Sequence, residues 1–233
     1  MKNSCVVLAG GFGTRLQSVL ADTPKSLAPV NGVPFIERQV ASLARRGVEK
    51  FIFSLGYRSE QIVASISEWG ISYNTQFIIE SEPLGTGGAI KFAMSSFNLE
   101  ETLVVNGDTF LSGTLSKMLE PLNFSKNEQV RCGLINVPDR KRYGGVDVSS
   151  EGLVTQFIEK GSSGGGLINA GIYRVGINAF EGVSETAFSF ETQVLPSLCK
   201  QHHLSGEILS GKFIDIGVPE DYKLFCDQYQ EFI

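Results

Sequence analysis

Apolar residues in this chain gather into short, dense runs broken by glycine and polar turns. Residues 5–8, Cys-Val-Val-Leu, are apolar throughout and stop shortly before Gly10-Gly11. A run without polar alternation predicts a strand buried on both faces. Between 34 and 46 the period changes: Ile36, Val40, Leu43 and Ala44 recur at helical spacing, and Gly47 supplies the stop. Further strands are expected at 50–55, 72–79 and 102–106. Helices are expected from Ser59, read as the cap, towards Trp69, and again over 86–97. Strand–helix alternation predicts an α/β fold with a mainly parallel sheet covered on both faces.

Beyond residue 130 the rhythm differs. Runs at 130–137, 145–148, 154–158 and 168–174 read as strands separated by turn residues, followed by a helix over 190–200. A short pair of strands, 207–209 and 212–215, precedes a final helix from Pro219, a residue suited to a first helical turn. There is no Pro/Ser-rich linker and no internal repeat. The simplest organisation is one domain over residues 1–233. The Gly-Ser-Ser-Gly-Gly-Gly stretch at 161–166 is too short for a domain linker and reads as a mobile loop.

Composition narrows the function. Twenty-five acidic against 20 basic residues give a net charge of −5, which disfavours a general nucleic-acid binder. No apolar run approaches the ~20 residues of a membrane span. The N-terminus lacks the apolar core of a secretory signal. Cys5, Cys132, Cys199 and Cys226 are too far apart for zinc or redox spacing, so four reduced thiols and a cytoplasmic location are expected. His202 and His203 read as surface residues, and no catalytic triad can be assembled. Glycine is abundant, 26 of 233 residues against a usual ~7%, which suggests backbone placed close to ligands.

Five constellations can carry chemistry. The first strand empties from Leu8 into Gly10-Gly11-Phe12-Gly13-Thr14-Arg15, where bare backbone N–H groups and a guanidinium suit phosphate. Leu16 stands where a dinucleotide fingerprint needs glycine, and Phe213 breaks a near Walker pattern ending at Lys212. Pro24 and Pro29 hold Lys25 on a rigid extended segment. Glu80 leads through a glycine loop, Gly85-Thr86-Gly87-Gly88, into a helix and can line a planar ligand. Asn106-Gly107-Asp108 follows a buried strand, at the strand-end position where open α/β sheets bind ligands. Asp215 also ends an apolar strand, and two such aspartates permit a shared Mg²⁺.

These motifs in this order resemble the sugar-1-phosphate nucleotidyltransferases: Gly10 to Leu16, Pro24-Lys25, Gly107-Asp108, Glu159-Lys160, Asn169-Ala170-Gly171-Ile172-Tyr173 and Asp215-Ile216-Gly217. The likeness runs from residue 5 to about 225. Residues 82–90, 167–173 and 213–222 look most like bacterial D-glycero-α-D-manno-heptose 1-phosphate guanylyltransferases. Mannose-1-phosphate guanylyltransferases and N-acetylmuramate-1-phosphate uridylyltransferases share much of the pattern.

The resemblance implies a Rossmann-like mixed sheet, Mg²⁺, an NTP and a sugar 1-phosphate as substrates, and cytoplasmic nucleotide-sugar synthesis. A sugar phosphate oxygen attacks the α-phosphorus and pyrophosphate leaves. The attacking phosphate is already a competent nucleophile, so no general base is required. Arg15, Lys25 and Asp108 form the implied catalytic set, and Asp108 with Asp215 carries the metal. Leu8, Gly10, Gly11, Gly13, Thr14, Glu80, Gly85, Thr86, Asn106 and Gly107 line the nucleotide. Tyr143, Gly144, Glu159, Lys160 and Asn169 take the sugar phosphate. Independently of the resemblance, the 161–166 segment follows Glu159-Lys160 with almost no side chains to pack, so it is expected to close when sugar phosphate binds. Glu80 replaces a family glutamine. Its two acceptor oxygens match the adjacent N1–H and N2–H₂ donors of guanine, so GTP is expected above UTP. A reading from a different class, a catalytically silent nucleotide-sugar sensor, has no need for both metal carboxylates and both cations.

Overall fold

The computed structural model describes residues 3–11, 13, 16, 20, 23–70, 73–161 and 163–233. They divide into two compact units. The first holds Met1–Pro83, Val105–Gly113 and Gly211–Ile233; the second holds Leu84–Val104 and Thr114–Ser210. The fold class is the one expected, α/β with a mixed, mostly parallel sheet and helices.

In the first unit, strand Ser4–Leu8 pairs parallel with Lys50–Leu55, which pairs parallel with Asn74–Ile79. Helix Phe35–Arg45 turns its apolar stripe inward, burying Phe35, Ile36, Val40 and Leu43. Two polar side chains, Gln39 and Ser42, are buried with them. Two further strands, Thr109–Leu111 and Phe213–Asp215, pair antiparallel with Asp215 opposite Thr109. An aromatic cluster lies behind them: Phe35 meets Phe225 edge-on at 5.5 Å, Phe225 meets Phe232 at 5.0 Å and Phe110 meets Phe225 at 5.1 Å. Each such pair adds about 0.5–1.5 kcal/mol beyond burial, so the ladder under Asp215 has a stiff backing.

The second unit is mixed. Strand Gly166–Gly176 runs antiparallel to Val130–Val137, and Leu204–Ile208 runs parallel to it. A register shift lies between Asn169 and Tyr173. Strands Gly145–Val148 and Val154–Ile158 make a separate hairpin. Tyr173 packs edge-on against Phe190, ring centroids 5.1 Å apart.

Three local expectations need correction. Ser59 is the first residue of helix Ser59–Ser67, not its cap; Arg58 takes the cap position in the left-handed region, φ 54°. The segment expected as helix over 190–200 opens as a π-helical turn, Phe190–Val194, before helix Leu195–Lys200. Pro196, which has no N–H to give to Thr192, sits where the pitch changes. The short strands near 207 and 213 do not pair with each other, because each finds a longer-range partner. Asn74–Ile79 realises the strand expected from 72, and Ser72 lies outside the described residues. The four cysteines are free, three of them buried. Among the described residues, no helix is long and apolar enough to cross a membrane.

Candidate active site

Strand Ser4–Leu8 stays in register with Lys50–Leu55 up to Leu8 opposite Ser54, and Ala9 N–H still donates to Ser54 O at 2.9 Å. The glycine loop starts where this ladder stops. A Cβ on Gly10 would lie 3.1 Å from Gly56 N and 3.2 Å from Glu80 Oε1. Glycine here therefore lets the loop backbone lie against the Glu80 carboxylate. Ser54 Oγ, fully buried, donates to Glu80 Oε1 at 3.0 Å and fixes that carboxylate.

Lys25 begins a 3-10 turn, Lys25–Leu27, and not the extended segment expected; only the flanking Pro24 and Ala28 are extended, with ψ 139° and 124°. Gly13 opposes it with φ +61°, and a Cβ there would sit 2.9 Å from Lys25 Cβ. Two independent demands thus fall on one glycine. The Lys25 ammonium, its side chain 14% exposed, donates to Asp108 Oδ2 at 2.6 Å and lies 4.0 Å from Asp215 Oδ1.

Backbone geometry brings the two aspartates together. Gly107 N–H donates to Leu8 O at 2.9 Å, an approach so close that a Cβ would lie 2.6 Å from that oxygen. The next residue, Asp108, accepts Ile216 N–H at its carbonyl at 2.9 Å, and the Thr109–Asp215 register follows. Asp215 Oδ1 accepts Gly217 N–H at 2.7 Å, which aims the carboxylate at Lys25. A Cβ on Gly217 would fall 2.7 Å from both Lys25 Nζ and Asp215 Oδ1. Leu8, Ala9, Gly11, Gly13, Lys25, Ser26, Gly107, Asp108 and Gly217 line a cleft of about 230 Å³.

Four contributors were not among the expected site residues. Gln39 Nε2 donates to Asn106 O at 2.8 Å and Thr109 O at 2.6 Å, bracing the segment that carries Asp108. Its signal was a lone amide in the apolar stripe of a helix. Ala9, Ser26 and Gly217 line the cleft close in sequence to Leu8, Lys25 and Asp215. Asn106 also leaves Oδ1 buried without a hydrogen-bond partner. Thr14 and Arg15 lie outside the described residues.

The remaining expected residues belong to the second unit. Gly85 has φ +68°, and a Cβ there would meet Phe188 O at 2.5 Å. Thr86 Oγ1 donates to Glu191 and accepts Phe190 N–H at 2.9 Å, so its hydroxyl serves the local fold. Gly144, φ +76°, packs against Ile158 O beside the Glu159-Lys160 backbone, while both of those residues are exposed. Tyr143 closes a turn by donating its N–H to Arg140 O at 2.9 Å. Asn169 Nδ2 donates to Tyr173 Oη at 2.7 Å, and Oδ1 accepts Gly171 N–H at 2.9 Å, so this amide organises the register shift. Of the 161–166 loop, Gly161 N–H donates to Lys141 O and Gly164 O accepts Arg140 N–H; Ser162 lies outside the described residues. His202 is exposed and His203 half-buried.

A glycine-lined cleft that holds Lys25 and Asp108, with the Asp215 carboxylate 4.0 Å from the ammonium, suits polyphosphate chemistry. The model of the nucleotidyl transferase family matches residues 4–231. The chain belongs to that family. Among curated nucleotidyl transferases, it is 40% identical over 221 residues to D-glycero-alpha-D-manno-heptose 1-phosphate guanylyltransferase of Campylobacter jejuni, covering 94% of this chain and 97% of the relative. The enzyme of that name from Aneurinibacillus thermoaerophilus is 37% identical, covering 98% and 99%. HddC from Yersinia pseudotuberculosis has a crystal structure that superposes with a TM-score of 0.87 at 37% identity, covering 97% and 99%. The same protein complexed with GMP-PN gives 0.84.

Proposed function

We propose that this chain is a sugar-1-phosphate guanylyltransferase that joins GTP to D-glycero-α-D-manno-heptose 1-phosphate and releases pyrophosphate. The observation that carries the chemistry is the convergence of Asp108 and Asp215 on the Lys25 ammonium beside a glycine loop. Near-full-length similarity to two heptose 1-phosphate guanylyltransferases supports the choice of substrates.

The donor set fits Mg²⁺. Two carboxylates reach one cationic point, and Mg²⁺ typically takes one or two carboxylates together with phosphate oxygens. Among the described residues no group of three His, Cys, Asp or Glu competes as a metal site. Asp108 and Asp215 would hold the ion, which when bound neutralises phosphate charge.

The chain's own residues supply positioning and charge. Backbone N–H groups of Gly10, Gly11 and Gly13 donate to phosphate oxygens, and Lys25 stabilises the crowded α-phosphate as the bond to pyrophosphate breaks. Arg15 is assigned to the departing phosphates from the sequence. Glu80, held by Ser54 against Gly10, offers its acceptors to guanine N1–H and N2–H₂. Lys160 meets the phosphate of the sugar phosphate, with Gly144 and Glu159 beside it, whereas the Asn169 amide expected there is spent on Tyr173 and Gly171. No general base is needed, in keeping with histidines confined to 202 and 203. Cytoplasmic location follows from the substrates proposed.

Pyrophosphate release tests the reading. The protein with Mg²⁺, GTP and the heptose 1-phosphate should release pyrophosphate and form a GDP-sugar. Absence of both products with any NTP and sugar phosphate pair would leave the silent-sensor reading in its place.

A further inference from the structure

We infer that Arg140 is a second cation for the sugar 1-phosphate, acting beside Lys160; this rests on the function proposed above. Arg140 follows strand Val130–Val137 and heads the turn that leads to Tyr143 and Gly144. The fold clears a place for its guanidinium. A Cβ on Gly145 would lie 2.8 Å from Arg140 Nη1, and a Cβ on Gly166, φ +151°, would lie 2.9 Å from the same atom. Two glycines from two different strands thus leave room for one planar head group.

Among the described residues, that head group has no anion of its own. Its Nε is buried without a hydrogen-bond partner. Among the described residues its side chain makes no ion pair or hydrogen bond. The neighbouring carboxylate, Asp139, instead accepts Lys141 N–H at 3.0 Å. A half-buried guanidinium left unpaired is costly, and its five-donor fork matches phosphate.

The surroundings are the residues proposed for sugar phosphate. Gly145 pairs with Ile158, the residue before Glu159-Lys160. Gly161 N–H donates to Lys141 O, and Gly164 O accepts Arg140 N–H. The turn carrying Arg140 is therefore tied on both sides to the segment carrying Lys160. Phosphate is the anion the proposed reaction delivers to these residues.

Initial-rate kinetics with each substrate varied in turn test the inference. Arg140→Met should raise KM for the sugar 1-phosphate about tenfold or more, the scale of a lost charged hydrogen bond, and leave KM for GTP within about twofold. Arg140→Lys should recover part of the loss by restoring charge without the fork. Gly145→Ala keeps the charge but displaces Nη1, and should raise the same KM. It decides the matter even if Arg140→Met does not fold. A folded Arg140→Met protein with an unchanged KM for sugar phosphate overturns the inference, whatever its melting temperature. Wild-type protein inactive on every sugar phosphate would defeat the functional reading instead.

Discussion

Lys25 and Asp108, 83 residues apart in sequence, meet at 2.6 Å. The ammonium also sits 4.0 Å from Asp215, so one cation spans both carboxylates proposed to hold Mg²⁺. Lys25→Ala should therefore lower kcat and kcat/KM together, by roughly 10²–10³, the scale of one lost transition-state donor. Lys25→Arg should be nearly as poor. The space is bounded by Gly13 and Gly217 at Cβ distances under 3 Å and admits a compact ammonium better than a planar fork. Steady-state kinetics decide: a rise in KM alone would limit Lys25 to ground-state binding.

Asp108→Asn and Asp215→Asn should each cut turnover by orders of magnitude at saturating Mg²⁺, because an amide neutralises less cationic charge than a carboxylate. Circular dichroism should remain that of the wild type. Near-normal turnover in either variant removes that residue from the proposed metal pair.

Gln39→Leu keeps the volume of a buried helix position but removes both hydrogen bonds to the Asn106–Thr109 segment. The two carbonyls lose a buried donor at about 1–3 kcal/mol. Stability should drop on that scale, and kcat should fall further than the lost stability explains, because Asp108 loses its brace. Denaturant melts paired with kinetics at a temperature where the variant is folded check both parts.

Much of this was legible in the sequence. Strands 130–137, 145–148 and 154–158 and the helix ending near Arg45 follow directly from apolar period and turn residues. Gly11, Gly13, Lys25, Gly107 and Asp108 of the cleft were visible as glycines and charges near strand ends. Long-range pairing was not: nothing local marks Phe213–Asp215 as the partner of Thr109–Leu111, although that ladder joins the two aspartates. Nor does residue type reveal that Thr86 and Asn169 use their side chains inside the fold. Gln39 could have been found by asking why an amide sits in a buried stripe.

Acid should loosen the second unit through Glu128. Burial raises its pKa, but donors from the Arg131 and Ser205 side chains and the Asn123 N–H outweigh that and leave it lowered. A lowered folded-state pKa means the contribution is present at neutral pH and lost as pH falls through that value. Glu128→Gln should cost roughly 3 kcal/mol near neutrality and lessen the drop in melting temperature on acidification. Parallel melting curves against pH in both proteins would contradict this.

The central claim turns on the base that Glu80 is proposed to read. Measuring kcat/KM for GTP and UTP with the same heptose 1-phosphate tests it most directly. The carboxylate set by Ser54 against Gly10 predicts at least a tenfold preference for GTP, with Glu80→Gln narrowing the gap. Equal use of GTP and UTP by the unaltered protein would contradict both the role of Glu80 and the guanylyltransferase assignment.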